Sequence, residues 1–221
     1  MQDSLNNTLN IDAYNLILKK LLSGELSTGQ NVSEDAIANE LGTSRTPVRE
    51  AILWLQKEGY LEIYPRKGTF VSKFSLKEIL DIYNLRLLLE PQVISSSFRN
   101  PTQAVNEKLT EYKNYNLQYI EDENIVSNGD AFFSQDLEFH LFLFDLINNA
   151  YIKRICRDAL YKCIISKLVF LDQLNIKRSR IATQHVVFID AALNGKTDEI
   201  FEIYKTHIIS ERDSIMHINI Q

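Results

Sequence analysis

Val32-Ser-Glu-Asp-Ala-Ile-Ala-Asn-Glu-Leu-Gly-Thr-Ser-Arg-Thr-Pro-Val-Arg-Glu-Ala-Ile52 is the stretch on which the fold turns. Ser33 caps a helix whose first turn carries Glu34 and Asp35, where negative charge is favoured. Ile37 and Leu41 mark its buried side and Gly42 ends it. A second helix starts between Ser44 and Pro47, because proline is tolerated where first-turn amides lack an intrahelical partner. It runs to Gly59 with Val48, Ala51, Ile52 and Leu55 as its apolar stripe.

On the N-terminal side, Ile11, Tyr14, Ile17, Leu18, Leu21 and Leu22 follow helical spacing and stop at Ser23-Gly24. On the C-terminal side, residues 60–64 and 69–72 read as two short strands around the turn Pro65-Arg-Lys-Gly68. Three helices and a two-stranded wing predict a winged helix-turn-helix domain over residues 1–74. Ser75 with Glu78 forms a capping box, and Phe74 with Ile79 the flanking hydrophobic staple, so a new helix and a second domain, 75–221, begin sharply there. That domain is expected to be all-helical, with helices near 76–98, 102–120, 130–148, 150–172, 177–193 and 198–216. The breaks fall at Asn100-Pro101, Asn128-Gly129, Asn148-Asn149 and Asn194-Gly195. The fold class is mainly α.

A chain of 221 residues suits two modest domains, and 45% hydrophobic with 24% charged residues is the balance of a soluble protein rather than a fibrous or membrane one. The apolar run 163–171 is interrupted by Ser166 and Lys167, short of the roughly 20 residues a membrane span needs. The polar first ten residues lack the basic and apolar regions of a secretory signal. A cytoplasmic location without a membrane partner is the expectation. Cys156 and Cys163, seven apart on one helix, are separated by roughly 10 Å, too far for a disulfide, and read as buried thiols. The net charge of −5 does not by itself favour nucleic acid; residues 1–74 hold 8 basic and 9 acidic side chains, so a DNA-binding case rests on where the charges stand.

Arg45 and Arg49 are four apart, on one helix face, opposite the buried Val48 and Ile52. Each offers a guanidinium fork that suits the O6 and N7 acceptors of guanine in the major groove. Ser44 and Thr46, at a helix start with free amides, suit phosphate. Arg66, Lys67 and Gly68 at the wing tip suit the minor groove, where glycine permits close approach. A solvated face and a plain surface turn are the alternative for such residues taken singly. Their joint placement points to double-stranded DNA.

This stretch resembles the GntR family of bacterial regulators, from Val32 to Ile52 and on through Leu55, Glu58-Gly59 and Gly68-Thr-Phe-Val71, with Ser23-Gly24-Glu-Leu26 and Gly29 before it. The resemblance implies that Arg45 and Arg49 carry base recognition and that Gly68 marks the wing tip. Asp35 departs from it, since many members have a basic residue there. Trp54 reads as a packing or interface residue.

In the second domain four polar residues stand on apolar helical faces. Asp136 and His140 share a stripe with Phe132, Phe133, Leu143, Phe144 and Ile147; His185 shares one with Ile181, Phe188, Ile189 and Ala192; His207 lies among Ile200, Ile203, Tyr204 and Ile208. Burying a carboxylate and three imidazoles costs several kcal/mol unless they are paired, and one divalent cation would satisfy all four. Zinc, nickel or manganese fits this donor set. A hydrogen-bonded core histidine is the alternative for each alone, and Asp136 with His140 could merely pair. His217 is assigned to solvent.

Residues 76–216 resemble the FCD effector domain of the FadR-type GntR branch, with Asp136-Leu-Glu-Phe-His140, Asn149 beyond it, His185 and His207 at its metal positions. The resemblance implies a helical bundle that dimerises and binds a metal-associated small molecule, often a carboxylate. It also matches Arg86 and Glu90 to an Arg–Glu pair, with Arg86 either in an effector pocket or in a structural ion pair. The expected function is a homodimeric transcriptional regulator, not an enzyme, whose operator affinity responds to a small effector. The alternatives are a metalloenzyme-like domain on a winged helix, for which no inward Glu or Lys beside the four ligands is apparent as a base, and a purely structural metal.

Overall fold

The computed structural model describes residues 2–121, 129–168 and 178–216. The chain divides into two compact units, one of Met1–Leu76 with Ile164–Val169 and one of Lys77–Cys163 with Phe170–Gln221.

In the first unit, α1 (Gln2–Leu22) packs on α2 (Glu34–Leu41) and α3 (Arg45–Lys57). Ala13, Ile17 and Leu21 of α1 are fully buried, as are Val48, Ala51 and Leu55 of α3, so the α3 stripe and the inner part of the α1 stripe are core, whereas Ile11 at the start of the α1 stripe is 46% exposed. The Ser33 hydroxyl accepts a hydrogen bond from the Ala36 amide at 3.2 Å and caps α2, and Gly42 closes it at φ 63°. The first helix starts nine residues before Ile11; its polar opening has no apolar stripe to betray it.

The wing differs from the expectation of two strands. β2 (Leu61–Tyr64) and β3 (Gly68–Val71) form the hairpin, with Tyr64 opposite Gly68 and Leu61 opposite Val71, and β1 (Asn31–Val32) adds a third antiparallel strand on the other edge of β3. Two residues are too few to show alternation; β1 exists through its pairing with Phe70 and Thr69. At the tip the Lys67 amide bonds to the Tyr64 carbonyl at 3.0 Å, with Pro65 next and Arg66 at φ 63°, the pattern of a type II turn with arginine where glycine is usual. Gly68 has a packing reason as well: at φ 113° a Cβ there would stand 2.8 Å from Nδ2 of Asn31, whose amide donates to the Thr69 carbonyl.

The helices that follow, among the described residues, are α4 (Leu76–Ser97), α5 (Gln103–Glu121), α6 (Gly129–Asp145), α7 (Ala150–Leu168), α8 (Arg178–Leu193) and α9 (Thr197–Met216); they belong to the second unit, except Leu76 and the end of α7 from Ile164 on, which belong to the first. The expected tail of α7 beyond Leu168 and the Asn128 side of the break before α6 lie outside the described residues. The α8 helix packs on both α5 and α9. Aromatic side chains fill the core: Phe139 and Phe188 touch at 6.0 Å, Phe98 meets Phe188 at 5.6 Å and Tyr112 meets Phe139 at 5.3 Å. Cys156 and Cys163 are buried and not joined in a disulfide, and burial pushes Cys156 up to about 12, which leaves it protonated and inert. No helix among the described residues is long and apolar enough to cross a membrane.

Candidate functional site

Three helices of the second unit each turn one histidine to a common point. His140 of α6, His185 of α8 and His207 of α9 are 1%, 2% and 4% exposed, and one ring nitrogen from each lies within 4.8 Å of the others. The Phe139 ring lies against His185 at 4.6 Å between centroids and helps exclude water. Asp136, one turn before His140, places Oδ1 3.5 Å from His185 Nε2 and 4.0 Å from His140 Nε2, with its side chain 15% exposed. All four residues singled out from the sequence are thus neighbours, the three histidines closest. His217 lies outside the described residues.

A hydrogen-bond chain fixes where the protons of two imidazoles sit. Arg86 Nε donates to Glu90 Oε1 at 2.9 Å, Nη2 donates to Glu90 Oε2 at 3.3 Å, and Nη1 donates to Glu211 Oε2 at 2.9 Å. Burial pushes the Glu90 carboxyl up from its usual range; Arg86, with an N–H on each oxygen, pulls it back towards the carboxylate. Tyr204 donates its one hydroxyl proton to Glu90 Oε2 at 3.1 Å, so its oxygen is left to accept from His140 Nδ1 at 3.1 Å. His207 Nδ1 stands 3.0 Å from Gln184 Oε1, an acceptor, and carries its proton there. Both rings then turn a bare Nε2 lone pair to the same point.

Those two Nε2 atoms are 3.3 Å apart with no proton left to bridge them, and among the described residues the buried Nε2 of His185 makes no hydrogen bond, Asp136 Oδ1 standing 3.5 Å away. Converging lone pairs in a water-poor pocket repel one another unless a cation sits among them. Two nitrogens about 2.1 Å from one ion, at tetrahedral or octahedral angles, are roughly 3.0–3.4 Å apart, which is the spacing found. The residues present fit a divalent ion: His140, His185 and His207 would hold it through Nε2, Asp136 is placed to join them, and Tyr204 and Gln184 orient two of the rings.

Arg86 is fully buried in ion pairs with Glu90 and Glu211, its side chain 0% exposed. Two acids face inward beside the histidines. The sequence offers Glu90 only as a partner of Arg86 and gives Glu211 no role, although Glu211, four residues after His207, has the helical spacing that puts it on the same face.

Burial, and then the neighbouring His207, holds His140 and His185 well below the ordinary value of 6.5, because a charged ring there would lose its water. In metal-free protein the folded state therefore refuses protons that the unfolded chain accepts. Stability should be level above about pH 6.5 and fall as the pH drops through that value, by up to about 1.4 kcal/mol per pH unit for each of the two rings. Urea denaturation of chelator-treated protein between pH 8 and pH 5 measures this slope; a flat profile contradicts it.

In the first unit Arg45 and Arg49 project from the start of α3 with side chains 59% and 62% exposed. Arg45 Nε is paired with Asp35 and Arg49 Nε with Glu34 Oε2 at 2.8 Å, both acids from the first turn of α2. Ser44 occupies the cap position of α3 without making a side-chain cap bond, and Thr46 is exposed beside it. Arg66, Lys67 and Gly68 are exposed at the wing tip.

The chain matches two family descriptions, "Bacterial regulatory proteins, gntR family" over residues 10–71 and "FCD domain" over residues 81–210. It is 29% identical over 188 residues to the gluconate operon transcriptional repressor of Bacillus subtilis, spanning 81% of this chain and 73% of that one. With the Nta operon transcriptional regulator of Aminobacter aminovorans it shares 26% identity over 86% of each chain. Among solved structures, E. coli McbR/YncC superposes with a TM-score of 0.80 at 19% identity over 96% of this chain and 99% of that one. A putative GntR regulator from Rhodococcus sp. RHA1 superposes with a TM-score of 0.72 at 18% identity over 94% and 97%. At such identities the two structures speak for the fold, while the family matches together take in most of the sequence: the chain belongs to the GntR family of transcriptional regulators, in the branch with an FCD domain, and not to an enzyme family.

Proposed function

We propose that this regulator binds a double-stranded DNA operator through residues 1–74 and adjusts its affinity through a metal-containing pocket for a small carboxylate in residues 75–221. The observation that carries the pocket is the convergence of bare histidine nitrogens, two of them 3.3 Å apart, at a buried point. Zinc, nickel or manganese is the resident ion: imidazole favours the first two, and the single carboxylate Asp136 leaves room for manganese. Three imidazoles and one carboxylate do not fill six positions, so an octahedral ion keeps sites for an anionic oxygen donor. One relative is named for the gluconate operon, and gluconate carries such a group. Arg86, held by two carboxylates, acts in this reading through the pocket's framework rather than as a free effector contact.

On the DNA side, Arg45 and Arg49 read guanine edges, Ser44 and Thr46 hold phosphate, and Arg66, Lys67 and Gly68 enter the adjacent minor groove. The protein acts as a cytoplasmic homodimer, whose two heads meet two half-sites. Native mass spectrometry with elemental analysis of gently purified protein reports metal, retained ligand and copy number together. Mobility shifts on duplexes enriched from a random library, with and without gluconate or citrate, then test the coupling. A metal-bearing dimer whose shift responds to a carboxylate is the expected result; sequence-indifferent binding under every condition would refute the proposal.

A further inference from the structure

A reading head gains from positive charge, yet two acids stand in this one, paired side by side with the two arginines that face outward. Asp35 and Glu34 are consecutive in the first turn of α2, Arg45 and Arg49 are one turn apart on α3, and each acid takes the Nε of one arginine. A guanidinium has five N–H bonds, one on Nε and two on each terminal nitrogen. A carboxylate on Nε leaves the terminal pair, the edge that fits guanine O6 and N7. Among the described residues Arg45 makes no other ion pair.

We propose that Asp35 is a specificity-determining positioning residue, whose carboxylate holds Nε of Arg45 so that its two terminal nitrogens face a guanine edge in the operator. The inference rests on reading Arg45 as a base-contacting residue. An acid near the duplex repels phosphate on any sequence, so it weakens specific and non-specific binding together. Only at the right base is the loss offset, because an arginine already turned to its target has less freedom to lose and fewer wrong acceptors to reach. Asp35 therefore lowers affinity everywhere and raises the ratio between right and wrong sequences. The competing explanation is that Asp35 serves only the favourable charge at the start of α2, in which case it would affect folding and leave base choice alone.

The test uses the full chain and duplexes selected from a random library by the wild-type protein. The guanine whose enrichment disappears in Arg45→Ala marks the contact. Affinity is then measured for the selected duplex, for the same duplex with that G·C pair replaced by A·T, and for a random-sequence duplex. Wild type should prefer the G·C duplex by about 10- to 100-fold, the range of one bidentate base contact. In Asp35→Ala the preference should fall to about threefold or less while the random duplex binds about two- to fivefold tighter, and Asp35→Glu should recover part of the preference. Asp35→Asn, the same shape without the charge, serves if alanine disturbs α2. Undiminished preference in folded Asp35→Ala and Asp35→Asn overturns the inference alone. If Arg45→Ala changes neither the selected sequence nor the affinity, the base-contact reading itself fails.

Discussion

Replacing Arg45 and Arg49 together with alanine should weaken operator binding by roughly thirtyfold to twenty-thousandfold per half-site, if each makes the proposed bidentate guanine contact, which contributes about 1–3 kcal/mol of discrimination. Fluorescence anisotropy at fixed salt measures it. Both side chains are exposed and neither belongs to the core of the first unit, so circular dichroism and melting temperature should change little. The truncation also strips Asp35 and Glu34 of their partners and leaves two unbalanced charges facing phosphate. The measured loss will thus exceed the value of the contacts, and adding Asp35→Ala and Glu34→Ala to the double variant separates the two contributions. Lys67→Ala makes the contrast. A wing lysine in the minor groove, where the base-edge pattern is degenerate, should lower affinity nearly evenly across sequences and reduce the salt slope by about one, whereas the arginine variants should chiefly erase base preference. Unchanged operator affinity in the folded double variant would end the assignment of α3 as the reading helix.

What the sequence showed and what it hid divide along the distance between partners. The winged-helix helices announce themselves locally: Ser33 with its capped amide, Gly42 in the left-handed region, and the stripe Val48, Ala51, Ile52 and Leu55 are all contained within a few turns. Likewise each of His140, His185 and His207 sits on an apolar face of its own helix, which was enough to expect them to point inward. Strand β1 is different, for Asn31 and Val32 have no signature apart from β3, almost forty residues on. The Arg86 to Glu211 pair spans 125 residues and the Tyr204 to Glu90 bond 114, and no periodicity along one helix reports that two helices will meet. Charged Nε pairing of Arg45 by Asp35 was hidden for the same reason, although Asp35 already stood out against the GntR pattern.

That long-range chain leads to the second large effect. If the histidines hold the proposed ion, removing it should cost the folded state about 4 kcal/mol when the free ion is present at a thousand times its dissociation constant, and a chelator should lower the melting temperature accordingly. Tyr204→Phe tests how the site is held without touching a ligand atom. The phenylalanine keeps the ring against Phe188 but removes both the acceptor for His140 Nδ1–H and the donor to Glu90. His140 is then free to move its proton to Nε2, the atom that must be bare to bind a cation, and a donor there faces His207 Nε2 instead. Loss of an orienting partner of this kind lowers metal affinity by about 10- to 100-fold, readable by competition with a chromogenic chelator. Nitrogen-15 spectra of the histidines should show His140 as the Nδ1–H tautomer in wild type and a mixture in Tyr204→Phe. His185→Ala, which removes a ligand outright, should lose more affinity than Tyr204→Phe while leaving the His140 tautomer in place. A Tyr204→Phe protein with wild-type metal affinity and an unchanged His140 spectrum would mean that the Arg86–Glu90–Tyr204 chain supports the helices and nothing more.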